Sequence, residues 1–301
     1  MGIEPTTFKK TQICVLCTSL MAVLMFVLTF LWKIFLRWTG GGESIWLYWF
    51  SAVMSAFCML IPCIVGIRLY TRLGQTVSRR EKQQNLPECM VMIGFGFPVC
   101  ILINFAVSMI SALFPFGKES RVQPFGNDPS VMIMMLFVYA VIPAVCEEIA
   151  FRGVLFPMLR SCGERFAWIV SSFLFGMMHS SFSGALVAFL SGLVMTAIYR
   201  QSGKLWVTSA IHFLNNAFVL VSVWLADNMN QNSYLRLLLI LTAIWIAVAL
   251  LMYAVMRKKK ITLFAFHSTD SNEAMKTNLS VLLSNPLFLL WIVCTIADKI
   301  F

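Results

Sequence analysis

TQICVLCTSLMAVLMFVLTFLWKIFL, Thr11–Leu36, is a run of 26 residues interrupted by a single charge, Lys33. As a helix it covers about 39 Å, more than the roughly 30 Å hydrocarbon core of a bilayer. It follows Lys9 and Lys10, far exceeds the 7–15 apolar residues of a signal peptide, and no small-residue cleavage site comes after it. A retained membrane helix is therefore expected here. Outward from this run the pattern repeats: 59% of the 301 residues are apolar and 12% charged, against about 25% charged in a soluble domain. Mean hydropathy is +0.83. One soluble core cannot absorb that much apolar sequence, so lipid must be the solvent for most of it.

The runs place spans at 11–36, 45–70, 89–115, 130–160, 165–181, 183–200, 205–226 and 234–256, with a short ninth at 281–298. The expected fold is all-α: a polytopic transmembrane helical bundle of eight core helices plus the ninth, forming one integral membrane domain over 1–301. With a cytoplasmic N-terminus, the inner segments hold Lys9, Lys10, Arg68, Arg72, Arg79, Arg80, Lys82, Arg160, Arg165, Arg200, Lys204, Arg257 to Lys260, and Lys276. The outer segments hold Lys33, Arg37, Lys118, Arg121, Arg236 and Lys299. That is sixteen basic residues against six, with Arg152 set aside, and positive charge favours the cytoplasmic side. Trp32, Trp38, Trp46, Trp49, Trp206 and Trp224 fall near span ends, where interfacial aromatics belong. The net charge of +10 lies in loops and sets orientation, so no nucleic-acid partner is expected. The nine cysteines are scattered; Cys14-x-x-Cys17 lacks the second pair of a structural zinc site and reads as packing. Asn285-Pro286 reads as an N-cap with proline at the first helical position, opening a helix of only about 24 Å that crosses a thinned bilayer or lies at its surface.

Most of the thirteen acidic residues lie in loops or at span ends; only Glu147 and Glu148 sit inside an apolar span, in VIPAVCEEIAFR, Val141–Arg152. Arg152 is the only basic residue within a span rather than at its margin. Charges in the membrane interior are costly, pair with each other, and mark function. Glu148 and Arg152 are four apart with the carboxylate first, the favourable helical order for an ion pair. Glu147 is turned about 100° from Glu148 and has no partner at helical spacing. One acid reads as structural and the other as free for chemistry. Two of the three histidines are also intramembrane: His179 ends FLFGMMH, and His212 is followed one turn later by Asn216. His267 falls in a polar loop and reads as solvated. Counted from the inner surface at 1.5 Å per residue, Glu147 lies about 20 Å deep, His179 about 24 Å, and His212 and Asn216 about 12 and 18 Å. Three helices thus bring these residues near one layer, with a kink expected at Pro143.

These residues resemble a known family. Glu147-Glu148-x-x-x-Arg152, Phe175-x-x-x-His179 and His212-x-x-x-Asn216 are similar, in that order and on separate spans, to the EExxxR, FxxxH and HxxxN motifs of the CAAX-protease/bacteriocin-processing (CPBP, or Abi) intramembrane proteases. The resemblance covers about 130–226, which would be the catalytic core spans. It implies that Glu147 and His179 activate water for attack on an amide. His212 and Asn216 would stabilise the oxyanion, while Glu148, Arg152 and Phe175 give structural support. It also implies a peptide or membrane-protein substrate and a multi-pass place in the cell membrane. Family members are often called metalloproteases. No His-Glu-x-x-His occurs here, so a metal-free glutamate mechanism without cofactor is favoured, with zinc on Glu147, His179 and His212 as the alternative. Two other functions stay open: a non-catalytic immunity or scaffold protein of the same fold, and a proton-coupled transporter, for which no inverted repeat is visible.

Overall fold

The computed structural model describes residues 5–39, 45–77, 84–114, 129–264 and 272–300. Arg79, Arg80, Lys82, Lys118, Arg121 and His267 lie outside the described residues. Ten helical elements and no strand occur among those described. They are α1 (Pro5–Trp38), α2 (Ile45–Arg72), α3 (Leu86–Leu113), a composite α4 over 129–159, α5 (Glu164–Met177), α6 (Phe182–Ser202), α7 (Leu205–Asn228), α8 (Gln231–Lys258), α9 (Asn272–Leu283) and α10 (Pro286–Ile300). Seven of these helices are long and apolar enough to cross a membrane, and the α9–α10 pair, bent by 73°, makes an eighth if counted as one span. The chain is an integral membrane protein with an all-α polytopic bundle.

Local sequence explains most of the boundaries. Asn85 caps α3 with a full capping box closed by Glu88, and Asn230 caps α8 by accepting from the Ser233 amide. Gly203 ends α6 in the left-handed conformation, φ 68°, which a glycine adopts without steric cost. The turn expected near 161–163 is present, with Gly163 at φ 138° between α4 and α5. Asn285 accepts from the Phe288 amide at 3.2 Å, so the expected cap of α10 is formed.

Two expectations are refined. The fifth helix, expected over 165–181, stops at Met177. Its 14 residues cover about 21 Å, short of a full crossing. The chain turns at 178–181 because Ser181 caps the next helix, accepting from the Gly184 amide at 3.1 Å. α5 and α6 therefore form a hairpin that ends inside the bundle. The ninth segment is no surface helix: Phe288, Trp291 and Lys299 are buried, and Lys33 on α1 bridges Asp298 at 2.7 Å. At the other end Thr11 on α1 donates to Asn278 on α9, so the α9–α10 unit follows α1 along its length.

α4 is central, packed against α2, α5 and α7, while α3 covers α6 and α7 and α8 lies outside α3. Cys14 and Cys17 are buried in the core as free thiols, as packing requires. Trp38 and Trp46 stand exposed at helix ends, whereas Trp32 is packed inside against Phe35 and Phe50.

Candidate active site

α4 is not a uniform α-helix. An α-helical turn, Pro129–Leu136, gives way to a π segment, Phe137–Val141; α geometry resumes over Ile142–Glu148, and a second π segment follows, Ile149–Leu155. Pro143 explains the first change: it has no N–H to give the carbonyl four residues back, so the ladder must be redrawn there. The kink expected at Pro143 thus takes the form of a π segment just before it. π insertions recur at functional sites because they rotate the following side chains out of register. Glu147 and Glu148 sit between the two.

Glu148 is fully buried, and Arg152 is 1% exposed. Arg152 Nη1 donates to Glu148 Oε1 at 2.7 Å, so the expected ion pair is made. The guanidinium also donates to Thr196 Oγ1 at 3.3 Å and to the Gly192 carbonyl at 3.3 Å, both on α6, and lies 4.6 Å over the Phe175 ring. Nearly every face of this buried cation therefore has a partner, as an apolar surrounding demands.

Glu148 does more than neutralise Arg152. Its Oε1 also accepts from His212 Nδ1 at 3.1 Å. A carboxylate paired with arginine can only accept, so the His212 proton sits on Nδ1, and Nε2 faces the other way. In that direction lies Glu147, its Oε2 3.7 Å from Nε2. Glu147 has no partner on its own helix, as expected, but the tertiary structure supplies one across to α7. Glu147 Oε2 is enclosed and has no hydrogen bond among the described residues. A buried carboxylate oxygen without a donor is costly.

His179 follows the C-terminus of α5. Its amide bonds the Gly176 carbonyl, and its Nδ1 lies 3.1 Å from the Phe175 carbonyl. A carbonyl only accepts, so Nδ1 is the donor and Nε2 carries the lone pair. Phe175 meets both histidines edge-on, 5.4 Å from His179 and 5.8 Å from His212. It spaces the two imidazoles and covers Arg152 at once.

The histidines open onto a cavity of about 360 Å³ between α3, α4, α6 and α7, whose lining includes Asn104, Tyr139, His179, Ser181, His212, Asn215 and Asn216. The size suits an extended peptide segment of a few residues rather than a folded partner. Glu147 and His212 are near enough to His179 to act on it electrostatically. The structure thus gathers Glu147, Glu148, Arg152, Phe175, His179, His212 and Asn216 into one region. Sequence reading missed Asn104 and Asn215; an amide in mid-span of the apolar α3 was the available signal. No group of three His, Cys, Asp or Glu among the described residues is placed to hold a metal ion. The alternative zinc set of Glu147, His179 and His212 does not converge as placed among the described residues.

Residues 129–218, which contain all three motifs, match the model of a family described as type II CAAX prenyl endopeptidase Rce1-like. Over 165 residues the chain is 26% identical to "Putative membrane peptidase YdiL" of Bacillus subtilis (strain 168), covering 54% of this chain and 68% of that protein. Over 139 residues it is 28% identical to "Membrane-embedded CAAX protease MroQ" of Staphylococcus aureus (strain USA300), covering 42% of this chain and 55% of that protein. No solved structure matches the chain. With three motifs in order on separate helices, residues 129–218 of the chain are similar to the CPBP family of membrane proteases.

Proposed function

We propose that this protein is an intramembrane endopeptidase of the cell membrane that hydrolyses peptide bonds in membrane-associated or peptide substrates. One observation carries the reading: an enclosed Glu147 carboxylate oxygen without a hydrogen bond stands 3.7 Å from Nε2 of His212, which with His179 lines a cavity inside the bundle. In this mechanism Glu147 takes a proton from a water molecule held also by the Nε2 lone pair of His179. The oxygen so activated attacks the scissile carbonyl carbon, and the carbonyl electron pair moves onto oxygen. That oxyanion meets donors at Asn216 Nδ2 and at Nε2 of a doubly protonated His212, with Glu148 as counter-charge behind the imidazolium. Glu147 then passes its proton to the leaving nitrogen as the C–N bond breaks. The oxyanion electron pair re-forms the carbonyl, the hydroxyl of water ends on the carboxylic product and its proton on the amine product, and the enzyme returns to its starting state.

Purified protein in detergent or proteoliposomes should cleave quenched-fluorescent peptides that carry an apolar or lipidated segment. Glu147→Gln keeps the shape but cannot accept the proton. It should fold, still bind peptide, and lose cleavage by about 10²–10⁴-fold, the usual worth of general-base catalysis. In this metal-free mechanism a chelator should leave the rate unchanged; loss restored by added zinc would replace it with a metal-assisted one. Equal cleavage by wild type and Glu147→Gln would overturn it. Full biological protection by Glu147→Gln, with no peptide cleaved by either form, would favour the immunity reading.

A further inference from the structure

An asparagine in the middle of an apolar membrane helix must spend its amide on partners. α3 carries one, Asn104, outside all three motifs and outside residues 129–218. Its Nδ2 donates to the Cys100 carbonyl one turn back at 2.9 Å and to Asn215 Oδ1 on α7 at 2.9 Å. Asn215 Nδ2 donates to Asn216 Oδ1 at 3.3 Å, and Asn216 Nδ2 donates to the Tyr139 carbonyl at 3.1 Å. All three asparagines line the cavity.

The relay has a direction. Both ends rest on backbone carbonyls, which only accept, so each amide is fixed with nitrogen and oxygen where they stand. Asn216 accepts at Oδ1 and keeps two N–H groups to offer: one goes to Tyr139 and the second is left for the cavity. Tyr139 is available because Pro143, four residues on, has no N–H for that carbonyl. Helix glue between α3 and α7 would need only the Asn104–Asn215 bond. Its continuation to a cavity-lining amide already implicated as an oxyanion donor is what glue does not require.

We propose that Asn104 is a positioning residue: acting through Asn215, it holds Asn216 with its N–H toward the cavity, the orientation an oxyanion donor needs. The catalytic consequence rests on the peptidase reading above, whereas the relay itself does not. With Asn104 removed, the Asn216 amide has only Tyr139 to orient it and turns more freely.

Two readouts separate the relay from the reading. In full-length protein labelled with ¹⁵N-asparagine, the Asn216 side-chain amide signal, assigned by its loss in Asn216→Ala, should move on Asn104→Leu, because Asn215 carries the change between them. An unmoved signal overturns the relay whether or not any peptide is cleaved. On a cleaved fluorogenic peptide, Asn104→Leu should lower kcat by about 10-fold with KM changed less than about 2-fold, because an oxyanion donor acts in the transition state. Asn215→Leu breaks the same relay from α7 and should match it if Asn104→Leu folds poorly. Asn104→Asp adds a sign. Protonated, the introduced carboxyl donates to Asn215 as asparagine does; ionised, it can only accept and reverses the relay. Its kcat relative to wild type should therefore fall as pH rises. His179, His212, Tyr139 and Cys100, the titratable groups of the same cavity, are common to both forms and cancel in that ratio. Unchanged kcat in all three variants, or a loss confined to KM or melting temperature, overturns the positioning role. Absence of cleavage by wild type with a moved Asn216 signal sinks the peptidase reading and leaves the relay standing.

Discussion

Arg152 reaches two helices at once, and through Glu148 it reaches a third. The Glu148 carboxylate takes Arg152 on one side and His212 on the other, so a pair that reads as structural in sequence is also the orienting partner of an imidazole. Removing one member of a buried ion pair strands the other, at about 3–5 kcal/mol. Arg152→Ala should therefore melt far below wild type in detergent. Replacing Glu148 and Arg152 together by Leu and Met should recover much of that loss, because no charge is stranded. The double variant should still be inactive in peptide cleavage, since His212 Nδ1 has lost its acceptor. A single variant that melts like wild type would show the ion pair to be dispensable, and an active double variant would show that Glu148 does not orient His212.

At the scale of elements, the short hairpin α5–α6 decides where His179 stands. Close approach is built on small residues, as between membrane helices generally. A Cβ on Gly176 would lie 2.7 Å from the Ala185 carbonyl oxygen and 2.8 Å from Phe189 Cβ, whereas one on Gly153 would meet nothing nearer than Leu205 Cδ1 at 3.4 Å. The backbone cannot yield as a side chain can. Gly176→Ala should therefore cost about 1–3 kcal/mol of stability, the usual range for overpacking, and should depress cleavage by moving the turn that carries His179. Gly153→Ala should be near neutral in melting and cleavage assays, and equal effects would refute the packing argument. The same helix end is held from the far side of the bundle: Lys299 on α10, 1% exposed, donates to the Met177 carbonyl at 2.8 Å. A cation at a helix C-terminus satisfies an orphan carbonyl and opposes the helix dipole. The C-terminal segment thus helps to fix the turn that carries His179.

For the whole molecule, hydrogen bonds gather the positively flanked segments at one end of the bundle. Thr11 meets Asn278, Asn278 meets the Cys162 carbonyl, Tyr70 meets Ser161, the Gln84 amide meets Ser202, and Arg200 meets the Leu263 carbonyl. This is the end that the sixteen-to-six division of basic residues assigns to the cytoplasm. A reporter fused after Lys260 should read cytoplasmic, and one inserted in 116–129 should read external. The opposite pattern would invert the orientation.

Sequence by itself determined that the chain lives in lipid, where its helices run, and which charged and polar residues lie within the spans. Hydropathy is a property of each run alone, and the spacings in Glu147-Glu148-x-x-x-Arg152 and His212-x-x-x-Asn216 are visible along one helix. The Glu148–Arg152 pair was legible for that reason, as were the Gly163 turn and the Asn285 cap. Tertiary structure alone decided that Glu147 faces His212, that Glu148 holds the His212 ring, and that Asn104 joins Asn216 through Asn215. Those contacts cross between helices, and no periodicity within a helix encodes how neighbours rotate against one another. The two π segments in α4 add an offset that an i, i+4 reading cannot supply, so the faces of that helix become definite only when it is packed.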